Sequence, residues 1–311
     1  MYTMQNFMHI PVLADEVINS LNIKPNGVYL DVTVGGGGHS SLIAAKLGKE
    51  GKLICLDKDN AALEASKLKL AKFNAVTTFY KCDFKDFANH IGADILFDGV
   101  LADLGVSSHQ IDTAERGFSY RMDAPLDMRM DKTQNLTAEI VVNTYKEERL
   151  AQIILSLGEE RFGRRIANAI VSSRPIKTTK QLVDIISGAV PGNYFKLFNK
   201  PPAMLTFQAL RIEVNGELEK LDKFCEDIAL RLKKGGRLSI ITFHSLEDRI
   251  VKHAFKKLAT DCICPPKCPM CICNHKAIVK LVNNKPIMAG ENELKINSRS
   301  SSAKLRVVER L

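Results

Sequence analysis

Four consecutive glycines, Gly35 to Gly38, are the residues in this sequence best suited to binding a ligand through the backbone. They follow an apolar stretch, Gly27 to Val32, that has the character of a buried strand. They precede a segment, Ser40 to Leu47, with apolar residues at helical spacing. Glycine in such a turn lets the backbone approach a bound molecule closely. The pattern predicts the first strand-to-helix turn of a doubly wound α/β sheet.

Two acidic residues near this turn, Asp31 and Asp57, limit which kinds of ligand it can bind. A second predicted strand, Lys52 to Leu56, ends at Asp57, about 20 residues after the glycines, where such folds place a carboxylate on a ribose hydroxyl. The G-x-G-x-x-G pattern is missing, and Asp31 would crowd a pyrophosphate with negative charge. S-adenosylmethionine has no phosphate and carries a cationic sulfonium and ammonium, so it suits an acidic strand end better. A nicotinamide dinucleotide and a glycine turn without a ligand remain alternatives.

Composition favours a soluble enzyme with a polyanionic partner. The chain has 311 residues, 45% of them hydrophobic, and a net charge of +9. It lacks an uninterrupted apolar run of membrane-spanning length and shows no signal-peptide pattern at its start. We therefore expect a cytoplasmic protein without a membrane partner. Eight cysteines in such a chain indicate reduced thiols or metal ligands rather than disulfides.

A basic helical block lies in the middle of the chain. Residues 146–211 contain eleven Lys or Arg and five acidic residues. Helical spacing covers 149–156 and 159–173, and Thr178 with Gln181 forms a capping-box pattern that opens a helix over 179–187. Arg161, Arg164 and Arg165 could follow a phosphate backbone, although a solvated helix face is the alternative for each.

The α/β pattern continues on both sides of this block. A strand is predicted over 93–101, followed by Asp103. After the block, we predict one long amphipathic helix over 206–232, stopped by Gly235 and Gly236, and then a buried strand over 237–243. The simplest organisation is one discontinuous domain, 1–109 and 212–311, with an inserted helical domain at 110–211.

Six motifs in order carry a family resemblance. They are Asp-Leu-Gly-Val-Ser-Ser at 103–108, Arg-Gly-Phe-Ser at 116–119, Pro-Leu-Asp-Met-Arg-Met-Asp at 125–131, Phe-Gln-Ala-Leu-Arg-Ile at 207–212, Phe-His-Ser-Leu-Glu-Asp-Arg at 243–249 and Ser-Ala-Lys-Leu-Arg-Val at 302–307. With His-Ile-Pro-Val-Leu at 9–13, they resemble the bacterial RsmH/MraW family of ribosomal RNA small subunit methyltransferases.

This resemblance implies a class I, Rossmann-like methyltransferase fold with a doubly wound sheet and a mainly helical insert. It also implies S-adenosylmethionine-dependent methylation of the exocyclic N4 of a cytidine in 16S rRNA, at the decoding centre of the small ribosomal subunit. A non-catalytic RNA-binding or assembly protein that retains the fold is the alternative of a different class.

The resemblance also assigns residues to the cofactor. By position they are Gly37, Gly38, His39, Asp57, Phe84, Asp103 and Gln110. Glycine amides and His39 can contact the methionine moiety, Asp57 the ribose hydroxyls, and Phe84 the adenine face. Phe84 in the core is the ordinary alternative.

Methyl transfer to an amino group needs an acceptor for the amine hydrogens and close alignment of the reacting atoms. Asp103 is the expected catalytic acceptor, although it could instead bind only the cofactor. Phe118 or Tyr120 would stack on the flipped base, and a core role for Phe118 is equally open.

A cysteine cluster stands apart from these assignments. Five thiols lie within residues 262–273, at Cys262, Cys264, Cys268, Cys271 and Cys273, with His275 close behind. Their number is sufficient to coordinate zinc, and Cys268 with Cys271 has the C-x-x-C spacing of a zinc knuckle. The C-x-C pairs are poorer zinc knuckles than C-x-x-C pairs. The stretch resembles a cysteine-bearing loop of the same family that carries no established metal. We therefore expect no metal at the active site and keep zinc at this cluster as an alternative.

Overall fold

The structure is a computed structural model that describes residues 11–262, 264 and 270–311. The chain divides into two compact units. A sheet unit contains residues 11–105 together with the described residues from 219 to 311, and a helical unit contains Val106–Leu218. The helical unit is an insertion in the chain of the sheet unit, and it is longer at both ends than the predicted 110–211.

Seven strands lie in the described part of the chain: β1 (Val28–Asp31), β2 (Lys52–Asp57), β3 (Val76–Lys81), β4 (Phe97–Asp103), β5 (Leu232–Thr242), β6 (Val279–Leu281) and β7 (Lys304–Arg310). They form one sheet in the order β3-β2-β1-β4-β5-β7-β6. The pairs from β3 to β5 are parallel, and β7 is antiparallel to both β5 and β6.

The described α-helices are α1 (Ala14–Leu21), α2 (Gly38–Lys46), α3 (Asn60–Leu70), α4 (Ser108–Asp112), α5 (Ala138–Thr144), α6 (Glu147–Ser156), α7 (Gly163–Ser172), α8 (Thr179–Ala189), α9 (Tyr194–Phe198), α10 (Met204–Asn215), α11 (Leu221–Leu230), α12 (Ser245–Leu258) and α13 (Glu291–Ile296). Short 3-10 helices cover Phe84–Asn89, Ala114–Arg116 and Ser298–Ser302. Within the described residues, no helix has the length and apolar character that a membrane span requires.

Alternating strand residues supply two hydrophobic cores, one on each face of the sheet. Leu30, Ile54 and Val100 pack with residues of α11 and α12. Tyr29 and Leu53 pack with residues of α1, α2 and α3 in the other core. Helices on both faces of a mainly parallel sheet define a doubly wound α/β fold. The predicted class I architecture with a mainly helical insert is therefore confirmed.

The helical unit has its own core. This core is formed by buried hydrophobic residues of α5, α6, α7, α8 and α10, and partly buried hydrophobic residues pack against it. The predicted capping box at the start of α8 is present, because the side chains of Thr178 and Gln181 each accept a hydrogen bond from the other residue's backbone. Gly188 lies inside α8 instead of ending it, and α7 begins at Gly163 rather than at Glu159.

The predicted long helix over 206–232 is wrong. Its first part is α10, which ends at Asn215 and is capped by Gly216 in the left-handed conformation, with φ of 59°. Its second part is α11, and Leu232 already pairs with Phe97 as the first residue of β5. Apolar residues keep their helical spacing on both sides of Gly216, so the hydrophobic pattern alone does not show that this glycine caps a helix.

Gly235 and Gly236 do not stop a helix. They lie in an irregularity of β5 between the pairs Leu232 with Phe97 and Arg237 with Gly99. Gly235 adopts φ of 75°, a conformation that glycine accepts without strain in a bulge. The strand predicted over 93–101 begins later, at Phe97, because Gly92 and Ile95 close a turn before it.

Candidate functional site

Three carboxylates mark the carboxyl edge of the central strands. Asp31, Asp57 and Asp103 are the last residues of β1, β2 and β4. Strand order reverses at β1, which lies between β2 and β4 although β4 follows β3 in the chain. Ligands of open α/β sheets bind in the crevice outside the carboxyl ends at such a switch point. The structure thus brings Asp57 and Asp103 to the edge where a ligand is expected.

The glycine turn connects β1 to α2 at this edge. Gly35 and Gly37 have φ of 50° and 73°, respectively, which favours glycine at both positions. A Cβ on Gly37 would lie 3.3 Å from Ser66, and a Cβ on Gly38 would lie 2.9 Å from Cγ of Pro11. Packing within the chain therefore accounts for the lack of side chains at Gly37 and Gly38.

Gly36 differs from its neighbours because a Cβ there would meet no described atom within 4 Å. It is exposed, and it lies two residues before the first residue of α2. A helix start offers backbone N–H groups and the positive end of the helix dipole, which suit an anionic group such as a carboxylate. Gly36 is the position where the turn is open, and the sequence patterns did not single it out.

Asp31 is buried and forms hydrogen bonds with residues on both sides of the glycine turn. Its carboxylate accepts hydrogen bonds from Oγ of Ser40 at 2.6 Å and from the backbone N–H of Thr33 at 3.1 Å. Burial raises the pKa of Asp31, although both hydrogen bonds favour its charged form. The Asp31 side chain thus fixes α2 to the end of β1.

His39 joins the glycine turn to Asp103. Its buried ring has Nε2 2.8 Å from the carbonyl oxygen of Val12 and Nδ1 3.4 Å from Oδ2 of Asp103. A protonated ring donates to both oxygens, since each nitrogen then carries a proton. Burial alone would lower the pKa of His39, but the hydrogen bond and charge of Asp103 outweigh it and raise that pKa.

Asp103 retains an acceptor for a further donor. Its Oδ1 is buried and has no hydrogen-bond partner among the described residues. Its backbone N–H donates to Oγ1 of Thr33 at 2.7 Å, which ties the end of β4 to the chain after β1. A buried carboxylate oxygen without a partner is costly. Its lack of a partner among the described residues leaves one acceptor unused, and a hydrogen bond from a bound molecule to Asp103 stays a prediction.

We predict that Asp103→Asn lowers the pKa of His39 below the wild-type value, because burial is then no longer offset by the charge of Asp103. Side-chain NMR titration measures this, with the signal of exposed His253 as an internal reference. The raised pKa also means that the pair stabilises the wild type fully below the unfolded value of about 6.5 and loses this contribution as pH rises through the folded pKa. Equal His39 titrations in the two proteins would contradict the pairing.

Asp57 is held by the turn that it faces. Its Oδ2 accepts from the backbone N–H of Gly35 at 2.9 Å, and its Oδ1 accepts from that of Asp59 at 2.8 Å. Burial raises the pKa of Asp57 to about 6, with smaller contributions from the charges of Asp59 and Asp31. Each carboxylate oxygen has a second lone pair, so Asp57 can still accept from ribose hydroxyls.

Phe84 follows β3 and opens a 3-10 helix. It is partly buried, and its ring packs against Phe224 with centroids 5.0 Å apart and an interplanar angle of 68°. Its contacts are those of a residue at the margin of the core. An adenine contact by Phe84 stays a prediction.

The helical unit contains the predicted cofactor residue Gln110 and the two aromatic residues predicted to stack on the base, Phe118 and Tyr120. Gln110 is buried and completes a capping box with Ser107 at the start of α4. Phe118 belongs to the core of the unit, which favours its structural interpretation. Tyr120 is only partly buried, with its ring centroid 5.9 Å from that of Phe207, so it is the better candidate for stacking on a base.

The three arginines proposed to contact phosphates are exposed on the helical unit. Arg161 lies over the ring of Phe198 at 5.7 Å, and Arg165 lies over Phe162 at 5.9 Å. Arg164 and Arg165 line a depression of about 410 Å³. Stacking on rings leaves the guanidinium donors available at the surface.

Comparison with known proteins identifies relatives over nearly the whole chain. The MraW methylase family matches residues 6–311. Ribosomal RNA small subunit methyltransferase H of Clostridium botulinum strain 657 is 51% identical, over 98% of this chain and 99% of its own. The protein of that name from Clostridioides difficile strain 630 is 49% identical, over the same shares.

Solved structures also align with the chain. TrmN from Thermus thermophilus matches with a TM-score of 0.43 and 13% identity, over 96% of this chain and 48% of its own.

The family assignment rests on the sequence matches. The family model covers residues 6–311, and about half of the residues are identical to those of relatives aligned over nearly their whole length. This chain belongs to the MraW methylase family.

Proposed function

We propose that this chain uses S-adenosylmethionine to methylate the exocyclic N4 of a cytidine in 16S rRNA at the decoding centre of the small ribosomal subunit, in the cytoplasm. The observation that carries the chemistry is the buried, unpartnered Oδ1 of Asp103, whose other oxygen faces His39. The names of the relatives, which specify ribosomal RNA of the small subunit, support the substrate class. The cytosine-N4 target is what the resemblance of the six motifs to the family implies.

The residues at the sheet edge fit this cofactor. Asp57 and Asp103 make the edge acidic, which favours a sulfonium and an ammonium group over a pyrophosphate. The start of α2 suits the methionine carboxylate, and Gly36 leaves the turn open on one side. Asp57 would accept from the ribose hydroxyls, while the glycine turn and His39 would hold the methionine moiety.

When bound, the cofactor supplies an electrophilic methyl group on a positively charged sulfur. Transfer of this methyl group would join its carbon to the N4 of cytosine, while the electron pair of the broken carbon–sulfur bond would return to sulfur. Oδ1 of Asp103 would accept an N–H of the amine, which directs the nitrogen lone pair to the methyl group and receives the proton that must leave. His39 would keep Oδ2 of Asp103 engaged, so that Oδ1 points to the amine.

Comparison of rRNA from cells with and without this protein tests the proposal. Mass mapping of nucleosides in small-subunit rRNA should show one N4-methylated cytidine that disappears on deletion and returns with the wild-type gene. Complementation by an Asp103→Asn variant should restore much less of this modification than the wild-type gene does. A full set of methylated cytidines in the deletion strain would refute the proposed target.

Cofactor affinity should depend on the charge of Asp57. Between pH 7.5 and pH 5 the affinity should fall about tenfold, because the pKa of Asp57 is about 6 and a protonated carboxyl accepts ribose hydroxyls poorly. Asp57→Asn should weaken binding at pH 7.5 by about 1–3 kcal/mol and flatten this dependence. Calorimetry with S-adenosylmethionine measures both, with Asp227→Asn, which alters a partly exposed carboxylate of α11, as the control. A pH dependence unchanged in Asp57→Asn would place the titrating group elsewhere.

A further inference from the structure

Four thiols converge in the segment that links α12 to β6. The Sγ atoms of Cys262, Cys264, Cys271 and Cys273 all lie within 4.8 Å of one another. The distance between sulfur atoms is 3.5 Å for Cys262 and Cys271, 3.6 Å for Cys271 and Cys273, and 3.8 Å for Cys262 and Cys273. Two C-x-C pairs that are separated in sequence thus form a single cluster.

These separations exclude disulfides and fit thiolates that share one metal ion. A disulfide brings two sulfur atoms to about 2.05 Å, much closer than any pair in the cluster. Four sulfur atoms placed tetrahedrally about 2.3 Å from a central zinc ion are separated by about 3.8 Å. The cluster has the size of a tetrahedral four-thiolate site, which is typical of zinc.

The surrounding chain supports metal ligation. The backbone N–H of Ile272 lies 3.5 Å from Sγ of Cys264, as expected of a donor that stabilises a thiolate ligand. Met270 and Ile272 are 74% and 76% exposed, so burial of these side chains does not hold the thiols together. The hydrogen bond from the backbone N–H of Ile278 to the carbonyl oxygen of Leu258 joins the two ends of the segment between α12 and β6. It does not position the thiols between those ends.

We propose that Cys262, Cys264, Cys271 and Cys273 bind one structural zinc ion, a role independent of the methyltransferase activity. Four thiols lose their protons, four S–Zn bonds form, and no oxidation occurs. All four coordination positions are filled by protein, so the ion has no open position for substrate or water. Its contribution is to fix the segment after α12, where the described residues have little packing.

Cys268 provides a matched control. It lies outside the described residues, and the other four thiols already complete a tetrahedral set. We therefore expect Cys268→Ser to retain the metal. The C-x-x-C spacing of Cys268 and Cys271 in the sequence favours Cys268 as a ligand, whereas the proposed site uses Cys271 without it.

Elemental analysis of the full-length protein, purified without chelators and supplied with zinc chloride, tests the site. We expect about one zinc per chain in the wild type and in Cys268→Ser, and below about 0.2 in Cys262→Ser and Cys271→Ser. Cofactor binding by each variant reports separately whether its sheet unit is folded. Wild-type protein without zinc, iron in its place, or equal metal loss in Cys268→Ser and Cys271→Ser would overturn the proposal.

A second measurement uses only the wild type and needs no variant to fold. Chelator-treated protein refilled with cobalt(II) should show the visible and charge-transfer absorption of a tetrahedral cobalt thiolate complex. Removal of the metal should also make four additional thiols react with a colorimetric thiol reagent. Mass spectrometry that finds these cysteines oxidised to disulfides in freshly purified protein, or no cobalt absorption, would contradict the zinc site.

Discussion

Asp103→Asn should lower the rate of methyl transfer by about 100-fold or more while the protein stays folded. An asparagine of the same size fills the same space at the end of β4, and the backbone N–H of residue 103 can still donate to Thr33. What the variant loses is the charge that accepts an amine hydrogen at the unpartnered Oδ1. Losing one preorganised group of this kind typically costs about 100- to 1,000-fold in turnover.

Single-turnover kinetics on small ribosomal subunits measure this effect and separate the two roles of Asp103. If the carboxylate acts mainly in the transition state, turnover falls and the cofactor dissociation constant is unchanged. If it anchors the cofactor ammonium, that constant rises as well. We expect both changes, with turnover reduced more. Asp227→Asn, which removes a partly exposed carboxylate of the same unit, is the matched control. Near wild-type transfer by Asp103→Asn at saturating cofactor would show that the acceptor lies elsewhere.

Local signals explain why much of the fold could be predicted. Strand β1, the glycine turn and α2 lie consecutively, so their hydrophobic periods and glycines can be read within about 20 residues. The capping box at Thr178 is likewise a four-residue signal. Gly216 also provides a local stop signal, but amphipathic spacing on both sides outweighed it in the prediction.

Non-local pairings explain why the arrangement of the site could not be predicted in full. His39 and Asp103 meet only because the sheet order places β4 beside β1. The sequence indicates each residue, but not that one raises the pKa of the other. Thr33, which receives the N–H of Asp103, carries no motif of its own and was missed. Phe84 and Phe118 show the opposite case, since an aromatic residue that the sequence assigns to a ligand can also pack in or against the core.

Neutralising Arg161, Arg164 and Arg165 together should weaken RNA binding by about tenfold or more at physiological salt and reduce its salt dependence. All three are exposed on the helical unit, where they lie among six net positive charges over residues 146–211. Each phosphate contact contributes about 0.7 to the slope of log affinity against log salt for single-stranded nucleic acid. Loss of three contacts should therefore lower the magnitude of this slope by about 2, while affinity for S-adenosylmethionine stays unchanged.

The control must remove the same charge from another surface, because a fall in net charge weakens RNA binding by itself. Lys67, Lys223 and Lys257 are lysines of the sheet unit that each pair with an acidic neighbour. Their triple glutamine variant should keep the wild-type salt slope, whereas the triple arginine variant should not. Binding of 16S rRNA fragments measured at several salt concentrations gives both slopes. An equal slope in all three proteins would mean that these arginines form a solvated helix face, because specific phosphate contacts release counterions and a solvated face does not.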